Sequence, residues 1–115
     1  MVEQTKDVSQ KVAFANSEDP AFLAVKGHFD TKEDATKYVK GLAQAISVVF
    51  QKHQNVKLRC IGAGATNNAL KAAAITRLDY LPKGINLVVE PDFTTVSFED
   101  GDRTGMLLKV VEKKS

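Results

Sequence analysis

The 115-residue sequence predicts a compact two-layer α/β domain, with two helices lying on a four-stranded mixed sheet. Three observations point there. Across Gly62-Ala63-Gly64-Ala65 the apolar period changes: Val56, Leu58 and Cys60 alternate before the glycines, and Ala69, Leu70, Ala73 and Ile75 fall at helical steps after them. A long amphipathic stretch precedes this corner. Two strand-like runs joined by a glycine turn follow it, so the order reads β-α-β-α-β-β.

Residues 1–20 are polar and mixed in charge, and Val2, Val8, Val12 and Phe14 show no sustained period. They read as a flexible leader before a domain spanning residues 21–115. The first strand is Ala21 to Lys26, after Pro20, and Gly27-His28-Phe29 forms a loop. Asp30-Thr31-Lys32-Glu33 carries a helix start, with Asp30 as the cap and Glu33 reaching back. Ala35, Tyr38, Val39, Leu42, Ile46, Val49 and Phe50 then form one apolar stripe that runs out near His53-Gln54-Asn55. Gly41, inside that stretch, marks either a close helix crossing or a tolerated glycine.

Val56 to Ile61 is the second strand, and the second helix begins near Thr66-Asn67-Asn68. Pro82 and Gly84 close it after Tyr80. Its Leu70, Ala74, Leu78 and Tyr80 suit either the sheet or a second copy of the chain. Ile85 to Glu90 is a third strand, interrupted at Pro91-Asp92 and resumed from Phe93 to Phe98, which puts Pro91 at an edge or a bulge. A turn centred on Asp100-Gly101 leads into the returning strand, Met106 to Val111, and Lys113 and Lys114 end in solvent.

Charge and cysteine usage narrow the function. Sixteen basic and fourteen acidic residues leave a net charge of +2 and a pI of about 8.7, so any nucleic-acid footprint has to be local. The single cysteine, Cys60, has no partner for an internal disulfide and reads as a small buried hydrophobe, in keeping with a reducing cytoplasm. No segment approaches the ~20 apolar residues of a membrane span, so a soluble, cytoplasmic protein without a membrane partner is expected.

The Gly62-x-Gly64-x-x-Asn67 run sits between strand and helix as a dinucleotide fingerprint does, but its sixth residue is Asn67 and so short a chain lacks a second mononucleotide half. No cofactor is expected. His28 and His53 lie far apart and Cys60 stands alone, which argues against a metal site. No Cys/His or Ser/His/Asp grouping supplies a nucleophile, so no catalytic residue is assigned and no enzyme is expected. What remains is a surface: Lys26, His28, Lys32, Lys57, Arg59 and Arg103 can follow a phosphate backbone if the fold gathers them, against the acids Asp92, Glu99, Asp100 and Asp102.

Ile61-Gly62-Ala63-Gly64-Ala65 with Asn67, Ala69, Lys71 and Ala72, then Pro82-x-Gly84-Ile85 and Gly101-x-Arg103-Thr104, closely resembles the bacterial stage V sporulation protein S family, over about Phe22 to Glu112. That family is related to the Alba proteins. The resemblance implies an Alba-like fold and a noncatalytic homodimer, or a higher homo-oligomer, that binds DNA or RNA through backbone contacts. It assigns Lys26, Gly27, His28 and Lys32 to a first contact region, Gly62, Gly64, Asn67 and Asn68 to a second, and Arg103 to a third on the hairpin. At the corner the sequence departs from Alba, with Gly62 and Gly64 where arginines often stand and Asn68 where lysine is common. Fewer phosphate contacts follow, leaving a regulatory protein-interaction module as the alternative reading.

Overall fold

The structure is a computed structural model that describes residues 19–114. Apart from Asp19 and Pro20, the expected leader lies outside the described residues. The elements run β1 (Phe22–Val25), α1 (Lys32–His53), β2 (Asn55–Cys60), α2 (Ala63–Tyr80), a short 3-10 turn (Leu81–Lys83), β3 (Leu87–Phe98) and β4 (Gly101–Glu112). The sheet order is β1-β2-β4-β3, with β1 parallel to β2 and the other pairs antiparallel. The expected two helices on a four-stranded mixed sheet are thus present.

Alternation decides which sheet face meets the helices. Val56, Leu58 and Cys60 of β2, Leu108 and Val110 of β4 and Leu87 of β3 are buried with Val39, Leu42, Ala43, Ile46 and Phe50 of α1 and Ala65, Ala69, Ala72 and Ala73 of α2. The small α2 residues let the helices approach, and the buried Thr76 hydroxyl donates to the Ala43 carbonyl across the crossing (3.0 Å). Gly41 is exposed and faces open space, so it is the tolerated glycine and not the crossing. Tyr80 belongs to the core: its ring meets Phe50 edge-on at 5.6 Å and its hydroxyl lies 2.9 Å from that of Ser47. That removes Tyr80 from the outward apolar face of α2, where Leu70 and Leu78 remain exposed.

Several boundaries differ from those expected. Thr31, not Asp30, caps α1, its hydroxyl accepting from the Asp34 amide at 3.0 Å. The second helix starts at Ala63, three residues before Thr66, because Gly62 at φ 93° makes the whole turn and Gly64 is already helical. Strand β3 runs unbroken through Pro91, paired with Leu108 in the same register as its neighbours, so the proline sits on an edge strand and makes no bulge. Phe98 pairs with Gly101, which moves the turn to Glu99-Asp100 and starts β4 five residues before Met106.

Asp19 is tied to the sheet. Its carboxylate accepts from Lys57 Nζ at 2.6 Å and from the Ala21 amide at 2.9 Å, and both bonds, the lysine's first, hold its pKa below the ordinary 3.8. A carboxylate whose pKa falls on folding adds stability at neutral pH and loses it as the pH drops through the folded value. An Asp19→Asn variant is therefore expected to melt below the parent at neutral pH, the gap closing as the pH is taken under 3.8; parallel melting curves over that range refute the anchoring role.

Candidate functional site

One row crosses the entire sheet at one end: Val25 pairs with Cys60, Cys60 with Met106, and Met106 with Phe93. Beyond it, three segments leave the same end. They are the loop after β1, the glycine corner before α2, and the outer part of the β3–β4 hairpin, which pairs with no other strand among the described residues. The order of the strands alone produces this clustering, since β1 and β2 are parallel and β4 returns alongside them.

Loop and corner touch through their backbones. A methyl group on Gly64 would lie 2.5 Å from the Gly27 carbonyl oxygen, and one on Gly27 would lie 2.7 Å from the Ala65 amide nitrogen. Any side chain at either position pushes the loop off the helix start. The buried Asn68 side chain donates to the Lys26 carbonyl at 3.0 Å, while the Lys26 amide donates to the Tyr38 hydroxyl at 2.8 Å. Phe29 stacks at a tilt on Tyr38, with ring centroids 4.9 Å apart, and the Lys26 ammonium stands 4.7 Å over the Phe29 ring. Lys26 is thus held by its amide, its carbonyl and its charge.

These contacts enclose one side of an open cleft of about 780 Å³. Lys26, Gly27, His28 and Gly64 line it together with Phe29, Asp30, Asp34, Ile61 and Ala65. Four of the nine sequence-assigned residues therefore meet in one cleft. Gly62 and Asn67 lie exposed in the adjoining corner, and Asn68 works beneath it as a brace. Lys32 lies elsewhere, along the seam between α1 and α2. Arg103 is out on the hairpin, its guanidinium 4.7 Å over the Phe98 ring and 3.3 Å from the Asp100 carboxylate. Lys57 and Arg59 alternate away from the buried side of β2, Lys57 on Asp19 and Arg59 at 5.5 Å over the Phe22 ring.

The electrostatics of the cleft are mixed. Lys26 and the start of α2, whose Gly62 cap contributes no side-chain bond, favour an anion. Asp30 and Asp34 oppose it, and exposed His28 lies 3.7 Å from Asp30. Burial pushes the Cys60 thiol up to about 11, so it is protonated at neutral pH and unsuited to nucleophilic work. Tyr38, Phe29 and Asp34 were not legible as site residues. Tyr38 appears in sequence as one more member of an apolar stripe, and only its hydroxyl, reaching the loop, reveals the second role.

A family model for stage V sporulation protein S (SpoVS) matches residues 33–113, from the first turn of α1 to the end of β4.

Two glycine replacements should shift stability in opposite directions. Gly64→Ala is expected to cost about 1–3 kcal/mol, because the Gly27 backbone has to move. Gly41→Ala, in open helix, is expected to gain about 0.5–1 kcal/mol. Urea denaturation reads both, and a neutral Gly64→Ala would show that loop and helix start do not need their close approach.

Proposed function

The chain belongs to the stage V sporulation protein S family, and from that footing we propose a noncatalytic, Alba-like, nucleic-acid-binding homodimer with a regulatory part in sporulation. One observation carries the reading. The loop after β1, the helix-start corner and the hairpin are the three regions that the Alba likeness turns toward nucleic acid, and all three leave the same end of the sheet. Lys26 supplies a braced ammonium, the start of α2 supplies backbone amides, and Arg103 supplies a second cation farther out on the hairpin. None of these groups reads a base edge, so backbone contact dominates and DNA and RNA share the mode.

Dimerisation brings a second set of the same groups alongside. Leu70, Leu78 and Leu81, at 45%, 67% and 41% exposure, give α2 and the turn after it an apolar outward face, next to a groove of about 300 Å³ between α2 and β3. Such a face suits a twofold contact between identical copies. The alternative, a protein-interaction module with little nucleic-acid affinity, draws on the acids Asp30 and Asp34 in the cleft and on Arg103 being paired with Asp100.

Binding of a mixed-sequence polynucleotide, measured as single strand and as duplex at low and moderate salt, separates the two. Affinity is expected to fall as salt rises, and a Lys26→Glu, Arg103→Glu variant to lose about tenfold or more at low salt while remaining cooperatively folded. Sedimentation should show a dimer that Leu70→Lys, Leu78→Lys converts to monomer. Salt-independent binding, or a folded double charge variant that binds as the parent does, would refute the nucleic-acid reading.

A further inference from the structure

The outer seam between α1 and α2 carries a second concavity, a groove of about 390 Å³ that shares no lining residue with the cleft. Val39, Ala74 and Ile75 give it an apolar floor; Lys32 and Lys40 stand along the α1 side and Lys71 on the α2 side. No Asp or Glu lines it. Several other cations are engaged within the chain: Lys57 bonds Asp19, Arg103 bonds Asp100, and Lys83 lies over Tyr80. The three groove lysines have no ion pair and no ring contact among the described residues, so their charge is directed outward and unspent.

The spacing restricts the occupant. Lys32 and Lys40 are eight residues apart on one helix, which sets them ~12 Å apart along its axis, two turns of a facing helix. A polynucleotide would use the lysines and leave the floor wet, whereas a purely apolar segment would strand three ammonium groups at its edges. Both demands are met by a helix that presents leucine-like residues at three- and four-residue steps and carboxylates on both flanks. We propose that the α1–α2 groove is a docking site for an acidic amphipathic helix of a partner protein. This site lies off the cleft and off the hairpin, and touches the proposed nucleic-acid surface only at Lys32 and at Asn68, the brace of Lys26.

The test uses the full chain and a fluorescein-labelled amphipathic helical peptide with leucines at three- and four-residue steps flanked by glutamates. Saturable binding is expected, about tenfold weaker when the glutamates are replaced by glutamines. A Lys40→Glu, Lys71→Glu variant, both positions being exposed on helix surfaces, should keep its melting curve, lose the glutamate peptide by a similar factor and gain the lysine-flanked version of the same peptide. That charge swap distinguishes docking in this groove from general stickiness. Equal binding of the glutamate and glutamine peptides, absence of saturable binding, or a charge variant that still prefers the glutamate peptide each overturns the proposal. Displacement of the peptide by a polynucleotide overturns it too, by assigning the lysines to phosphates.

Discussion

Two stretches of backbone meet where side chains would ordinarily keep them apart, and the candidate site at this end of the domain depends on that meeting. With hydrogens at Gly27 and Gly64, the loop after β1 lies directly on the first turn of α2. Asn68, one turn further along the helix, then reaches the Lys26 carbonyl, and Tyr38 of α1 meets the Lys26 amide from the other side. One loop is thereby fixed by both helices at once. The direction in which Lys26 and His28 leave the sheet is a consequence of how the two helices pack on it.

The architecture was legible because each core element states its own period: the alternation of Val56, Leu58 and Cys60, the stripe of α1, and the alanines of α2 correspond to buried faces. Boundaries failed where local preference and tertiary pairing disagree. Gly101 to Gly105 holds two glycines and an aspartate, a poor strand by composition, and it is extended because β3 stands opposite residue for residue. Gly64 is a poor helix former placed inside a helix by the close contact with Gly27. Aspartate and threonine both suit a cap, and the backbone of Thr31, at φ −130° and ψ 156°, decides between them.

The candidate site was half legible for a related reason. Parallel pairing of β1 with β2 brings the β1 loop and the glycine corner together, so Lys26, Gly27, His28 and Gly64 converge. Pairing patterns do not report where long side chains spend their charge. Arg59 and Arg103 lie over phenylalanine rings and Lys57 on a carboxylate, while Lys32, grouped in sequence with the loop, belongs to the seam between the helices. Among the described residues, part of the basic side chains that the sequence counts as available is therefore engaged within the chain.

The proline in β3 has a consequence for life in a crowded solution. A twelve-residue border strand is a template on which stray chains can add and grow into fibrils. Pro91 removes a donor from the middle of that border, and the exposed carboxylates Glu90 and Asp92 on either side repel an identical strand brought up against it. The protein can therefore keep a long hairpin as an arm without turning that arm into a seed.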